Sequence, residues 1–206
     1  MGSISMPELR IGHLTATLPI VQGGMGVGIS LSGLAAAVAN EGGIGVIATA
    51  GIGMDQPDFS VNFREANLRT LRNEIRKARE LSKGIIGVNI MVALSNFAEL
   101  VRTAIEEGID IIFSGAGLPL NLPQFIDDTS KTKLVPIVSS GRAAGIIARK
   151  WSEKYNRLPD AVVVEGPLAG GHLGFKEEML SDAGYSLEKL LPEVIEAVKQ
   201  YEDEYK

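Results

Sequence analysis

The residues with most to offer chemistry lie between Ala161 and Phe175, which reads Ala-Val-Val-Val-Glu-Gly-Pro-Leu-Ala-Gly-Gly-His-Leu-Gly-Phe. Glu165 supplies a carboxylate, and further along His172 supplies an imidazole whose unperturbed pKa of about 6.5 lies near neutral working conditions. Gly170, Gly171 and Gly174 flank the histidine. With no side chains at those positions, backbone N–H groups and the imidazole can approach a ligand closely. The run Val162-Val163-Val164 reads as a fully buried strand, and Pro167 with the glycines forbids its regular continuation. A rigid strand thus opens into a permissive loop, which suits a site better than a core.

The elements that must position these residues follow one construction along the chain. Leu9 to Leu18, broken by Gly12-His13, predicts a small hairpin or irregular lead-in, with His13 in a solvated turn. Leu18 to Gln22 predicts a short strand, Gly23 to Gly28 a glycine loop, and Ser30 to Asn40 a helix with a serine cap. Ile44 to Thr49 is the second strand, opening into Ala50-Gly51-Ile52-Gly53. Over Val61 to Ser82, Leu68, Leu71, Ile75 and Ala78 share one helical face while arginines, lysine and glutamates cover the rest, which predicts a solvated charged face.

Gly84 to Ile90 is the third strand, with Asn89 near its end, and a helix from Ser95 to Glu107 is closed by Gly108. Ile109 to Phe113 is the fourth strand, opening into Ser114-Gly115-Ala116-Gly117 and a proline-interrupted stretch, Leu118 to Phe125. Lys133 to Ser139 is the fifth, followed by a helix from Gly141 to Lys154. The Ala161 strand is the sixth, and Leu187 to Tyr201 is a final amphipathic helix.

Strands that are apolar throughout, each followed by a glycine-bearing loop and nearly always a helix, predict a parallel sheet covered by helices. An open doubly wound sheet that binds a dinucleotide needs G-x-G-x-x-G at the first helix and an acidic residue about 20 positions on. The first loop, Gly24-x-Gly26-x-Gly28, misses that spacing. Gly43 to Ala48 fits the G-x-G-x-x-A form, but its last three residues are strand. A TIM-barrel-type (β/α)8 fold explains the pattern better. It gathers Gln22-Gly23-Gly24, Thr49, Asn89, Ser114-Gly115, Ser139-Ser140, Glu165 and His172 at the C-terminal strand ends, where sites of this fold lie.

Composition narrows the function. The chain has 206 residues, 45% hydrophobic and 22% charged, and is expected to form one domain over residues 1–206. A net charge of -5 with no basic, aromatic-interleaved stretch argues against nucleic acid. With no cysteine, thiolate chemistry, disulfides and Cys-based metal sites are excluded, and the expected address is cytoplasmic. Met1 to Arg10 carries no apolar signal core, its opening misses the myristoylation pattern, and no stretch suits a membrane span. Two distant histidines and no carboxylate pair at ligand spacing predict no metal site. His13, Asp127-Asp128 and Glu177-Glu178 read as solvated surface.

Several motifs together resemble the nitronate monooxygenase family, formerly called 2-nitropropane dioxygenases. They are Pro-Ile-Val-Gln-Gly-Gly-Met-Gly-Val-Gly, Gly-Val-Asn-Ile, Phe-Ser-Gly-Ala-Gly, Pro-Ile-Val-Ser-Ser-Gly-Arg-Ala-Ala and Glu-Gly-Pro-Leu-Ala-Gly-Gly-His-Leu-Gly. The flavin-dependent enoyl-acyl carrier protein reductases share them. The resemblance implies an FMN enzyme on a (β/α)8 barrel. Such barrels typically need about 250 residues, so this chain resembles the first six β/α units of eight, without the last loops that hold the FMN phosphate. An unclosed barrel is expected to self-associate through its open strand edges.

The resemblance also implies roles. His172 matches the family's active-site histidine, a base or a stabiliser of developing negative charge beside the flavin. Asn89, Glu165 and Gly170, with Gly171, match positions at the FMN, and Gly24 and Met25 match the backbone approach to its ring. Many members have Gln where Glu165 stands. Structural alternatives are a strand-end cap for Asn89, a salt bridge for Glu165, a buried methionine beside a tight turn for Met25, and helix caps for Ser114, Ser139 and Ser140. Three activities follow as expectations. The first is oxidation of an alkyl nitronate by O2 to a carbonyl compound and nitrite, and the second is NAD(P)H-driven reduction of an enoyl thioester. The third is a truncated, flavin-free fragment without catalysis.

Overall fold

The computed structural model describes residues 6–127 and 129–204. The expectations for Met1–Ser5 and for Asp128 therefore lie outside the described residues. The fold divides into two compact units, one within Met1–Phe113 and Ile126–Lys133, the other within Ser114–Phe125 and Leu134–Lys206.

The first unit opens with the expected hairpin. β1 (Leu9–Ile11) pairs antiparallel with β2 (Leu14–Ala16) around an exposed His13, and Gly12 takes the positive φ that the tight turn requires. β3 (Ile44–Ala48), β4 (Ile85–Met91) and β5 (Ile111–Gly115) then stand side by side in that order. β3 and β4 are parallel, in register from Ile44 opposite Ile85 to Ala48 opposite Asn89. All of β3 is buried. A strand buried on both faces has no polar side to show, which is why Ile-Gly-Val-Ile-Ala reads as an unbroken apolar run.

Close packing of α1 (Ser32–Asn40) on this sheet depends on small residues. Ala35, Ala36 and Ala39 are buried on the helix face. A Cβ on Gly45 would run into the carbonyl of Ala35, and one on Gly84 would run into that of Ala39. Gly45 in β3 and Gly84 just before β4 thus let helix backbone settle almost onto the sheet backbone. α1 begins two residues later than expected, because Ser30 is drawn into a loop. Its first N–H groups are served from outside instead, Ser32 donating to Glu74 Oε2 at 2.7 Å. A carboxylate there complements the positive end of the helix.

Glu74 comes from α2 (Phe59–Leu81), whose inner face buries Ala66, Leu71, Ile75 and Ala78. The helix starts earlier than expected and is irregular at Asn62. Its charged face is solvated but partnered: Arg76 makes two 2.7 Å bonds to Glu107, just beyond α3 (Phe97–Glu106), and Arg79 reaches Asp110 at 2.9 Å.

The expected strand over Leu18 to Gln22 is reduced to one parallel bridge, Val21 to Ile44. Pro19 has no N–H to donate, and Gly23-Gly24 releases the chain at the other end. Ile44 still donates to Ile20 and Gln22 to Ile44, so the segment occupies a strand's place without a strand's length.

In the second unit β6 (Lys133–Val138) pairs parallel with β7 (Val163–Val164), Ile137 opposite Val163 and Val138 opposite Val164. β7 corrects an expectation. It is two residues long and only partly buried, because among the described residues β6 is its one strand neighbour. α4 (Gly141–Tyr155) is capped by Ser140, whose hydroxyl accepts the Ala143 N–H at 3.2 Å, and it ends on Asn156 in the left-handed conformation. Its Trp151 is wholly buried and donates Nε1–H to the Pro119 carbonyl at 3.0 Å, so a large apolar surface is sequestered with no polar atom stranded. α5 (Leu187–Glu204) buries Leu190 and Val194.

Candidate functional site

Within the first unit the glycine loop after Val21 is tied down by its two ends. The Gln22 carboxamide donates to Ser30 Oγ at 2.9 Å, to the Val46 carbonyl at 3.0 Å and to the Gly23 carbonyl at 3.3 Å, and accepts from the Val46 N–H at 3.2 Å. Ser30, completely buried, donates to the Gly23 carbonyl at 3.2 Å and accepts the Met25 N–H at 3.0 Å. Gln22 therefore fixes the loop to β3, while Ser30 ties the loop's own ends together. Gln22 is a strand-end residue whose clamping role was not anticipated. The signal available was a long carboxamide directly before two glycines, a position where it can serve the backbone that glycine leaves unsupported.

Inside that ring the chain is held in an uncommon conformation. Val27 has φ +54°, a region that β-branched residues avoid, and its N–H donates to the Ala50 carbonyl at 2.7 Å. Met25 is 49% exposed. The N–H groups of Gly23, Gly24 and Gly26 make no hydrogen bond among the described residues.

Asn89 meets this loop. A Cβ built on Gly24 would lie 2.5 Å from Asn89 Cβ and 2.9 Å from its Cγ. The Asn89 carbonyl is fixed by Thr49, which donates its N–H at 3.1 Å and its hydroxyl at 2.9 Å. The Asn89 side-chain amide makes no hydrogen bond among the described residues. It is thus no cap, and it keeps both donor and acceptor for something else. Three of the expected site residues, Gly24, Met25 and Asn89, are brought together here.

Within the second unit Glu165, Gly170, Gly171 and His172 share one exposed or half-exposed loop. Glu165 makes no salt bridge among the described residues. Its Oε2 accepts the Gly174 N–H at 2.9 Å, while Ser139 donates to the Gly174 carbonyl at 3.3 Å. Gly170 and Gly171 face open space, Gly171 at φ +86°. His172 is exposed and its ring makes no hydrogen bond among the described residues. Ser114 is wholly buried in β5, so it neither caps a helix nor lines an open surface.

A cavity of about 330 Å³ in this unit is lined chiefly by apolar side chains, among them Ala148, Val162, Val164, Val194 and Val198, and by none of the candidate residues. Among the described residues no cluster of three or more His, Asp and Glu could hold a metal ion. No helix among them is long and apolar enough to cross a membrane.

The nitronate monooxygenase family model matches residues 8–199. The chain belongs to the nitronate monooxygenase family. Among solved structures, this family member is similar to FabK from Thermotoga maritima, with 30% identity and a TM-score of 0.63 over 87% of this chain and 47% of that one. It is similar in fold to nitroalkane oxidase from Streptomyces ansochromogenes, with a TM-score of 0.67 at 22% identity over 87% of this chain and 56% of that one. A curated relative, (3aS,4S,5R,7aS)-5-hydroxy-7a-methyl-1-oxo-octahydro-1H-indene-4-carboxyl-CoA dehydrogenase of Mycobacterium tuberculosis, is 26% identical over 180 residues, 87% of this chain and 42% of the relative. The chain spans about half the length of these proteins. The α/β class is the TIM-barrel type: among the described residues, the Val21 bridge, β3, β4 and β5 in the first unit and β6 and β7 in the second answer to the six expected strands.

Proposed function

We propose that this nitronate monooxygenase family chain carries the flavin face and the reacting histidine of an FMN-dependent oxidoreductase that converts alkyl nitronates and O2 to carbonyl compounds and nitrite. The approach of Asn89 to Gly24 carries this reading, because it sets a carboxamide beside the loop of exposed Met25, where that carboxamide and the backbone N–H groups of Gly23, Gly24 and Gly26 have no partner among the described residues. A flavin ring has a flat apolar body and an edge alternating N–H with C=O. That chemistry suits a thioether surface, an amide that both gives and accepts, and free backbone donors.

The resemblance to the family supports FMN contacts for Gly24, Met25 and Asn89 of the first unit and, separately, for Glu165, Gly170 and Gly171 of the second. Bound there, FMN would supply the redox chemistry between substrate and O2. The chain contributes orientation and proton handling. His172, with neither ring nitrogen engaged, can take a proton at a free nitrogen or donate N–H to an anionic nitronate oxygen. Gly170 and Gly171 leave the space around it open to a substrate.

The 30% identity with FabK supports a second reading, reduction of an enoyl thioester with NAD(P)H through the same cofactor. One set of measurements separates the alternatives. The purified protein is mixed with FMN and scanned for bound flavin near about 450 nm. It is then assayed for nitrite release from propionate 3-nitronate in air and for NADH consumption with a crotonyl thioester without air. Nitrite release supports the first reading and anaerobic NADH loss the second. A protein that takes up no FMN sinks both and supports the flavin-free fragment.

A further inference from the structure

We propose that Glu165 is a positioning residue that, with Ser139, closes the His172-bearing loop through Gly174. The inference rests on the reading of His172 as the reacting side chain.

Three observations carry it. Glu165 Oε2 accepts the Gly174 N–H at 2.9 Å, and Ser139 Oγ donates to the carbonyl of the same residue at 3.3 Å. Both polar groups of one peptide position are thus gripped by side chains. Gly174 is also the residue that the grip requires, since a Cβ there would lie 2.6 Å from Ser139 Oγ and 3.2 Å from Glu165 Oε2. Finally, the two gripping residues are themselves anchored. Ser139 directly follows β6, and Glu165 follows β7 with its own N–H on the Val138 carbonyl at 2.8 Å.

Between the grips the loop has little else to hold it. From Gly166 to Leu173 its backbone makes one hydrogen bond among the described residues, Ala169 N–H to the Gly166 carbonyl at 3.1 Å. Gly170 and Gly171 add freedom just before His172. Ordering such a segment costs backbone conformational entropy at every residue. A fixed far end two positions beyond His172 removes much of the space that the imidazole would otherwise sample. One oxygen acceptor is enough for this task, so a glutamine at 165 can perform it and an alkyl side chain cannot.

The test compares the full chain with Glu165→Gln, Glu165→Ala and Ser139→Ala by NMR. It reads the solvent-exchange rate of the Gly174 amide, the order of the His172 ring, and β5 amides as an internal reference. Glu165→Ala is expected to speed Gly174 exchange about tenfold or more, the scale of one lost charge-assisted hydrogen bond, and to lower His172 order. Glu165→Gln restores both, and the β5 amides do not change. Unchanged Gly174 exchange in Glu165→Ala overturns the proposal, as does failure of Glu165→Gln to restore it, or equal acceleration of the β5 amides. Should Glu165→Ala not fold, Ser139→Ala is judged by the same Gly174 and His172 readings. FMN titration of the unaltered chain, followed by flavin fluorescence, stands apart: no binding with Gly174 still protected sinks the functional reading and leaves the loop closure intact.

Discussion

Asn89 occupies the space that a side chain on Gly24 would need, its Cβ lying 2.5 Å from where a Gly24 Cβ would be. The approach ties the glycine loop to the end of β4, and Thr49, just past β3, holds it by fixing the Asn89 carbonyl. Gly24→Ala must displace either the loop or Asn89. Overpacking of this kind costs about 1–3 kcal/mol. The expected outcome is a lower urea midpoint with an unchanged slope, and weaker FMN uptake. Asn89→Gly in the Gly24→Ala background, which removes the Cβ in the way, should recover part of the stability and none of the FMN uptake. Full recovery of uptake would show that the Asn89 amide has no role toward the cofactor.

Gly45 tests the packing that sets β3. Its missing side chain admits the Ala35 carbonyl, and that backbone atom cannot move away as a flexible side chain could. Gly45→Ala is therefore expected to destabilise by about 3 kcal/mol or more. Gly33→Ala, on the same helix but with nothing within 4 Å of its Cβ, should be stabilising by roughly 0.5–1 kcal/mol. Equal melting temperatures for the two variants would contradict the close approach of α1 to β3.

What the sequence disclosed and what it hid have physical causes. The unbroken apolar runs at Ile44–Ala48 and, within β6, from Leu134 to Val138 announce buried parallel strands, and the period of Leu71, Ile75 and Ala78 announces the inner face of α2. Both are local patterns. Val162-Val163-Val164 carries the same signal as β3, yet the second unit gives it one strand neighbour and it stays half-exposed. Burial depends on what lies on both sides of a strand, and a run of valines cannot specify that. Ser30 reads as a cap because serine before an alanine-rich helix usually is one. Here its hydroxyl meets Gln22 and Gly23 across a closed loop, a contact set by the loop's path. Glu165 and His172 stand out in the sequence by type and spacing. That the Glu165 carboxylate serves the Gly174 N–H is visible only once the glycines have let the chain turn back.

Glu74 should show its worth as a cap supplied by another helix. The Ser32 N–H has the Glu74 carboxylate as its acceptor at 2.7 Å, and Leu31, at the cap position, offers no side-chain oxygen. Glu74→Ala is expected to cost about 1 kcal/mol, within the range of lost caps and carboxylates at helix N-termini. Leu31→Asp supplies a cap from within the helix and should restore most of that loss. Urea melts of the single and double variants measure the coupling. Simple additivity would mean that the two carboxylates do not serve the same end of α1.

Asp58 and Arg69 give stability a pH dependence of known sign. Arg69 donates to the Asp58 carboxylate at 2.6 Å, and this hydrogen bond, outweighing the opposing effect of desolvation, holds the Asp58 carboxyl below its usual range. A folded-state pKa below the unfolded value of about 3.9 means that the pair's contribution is complete above that pH and disappears as pH falls through the folded value. Both side chains are well exposed, so the contribution is small and weakened by salt. Asp58→Asn should therefore melt slightly below the unaltered protein at about pH 6 in low salt, with the gap narrowing both on adding salt and on acidifying to about pH 2.5. A gap that persists unchanged in acid would assign the effect to the shape of Asp58 at the start of α2 rather than to its charge.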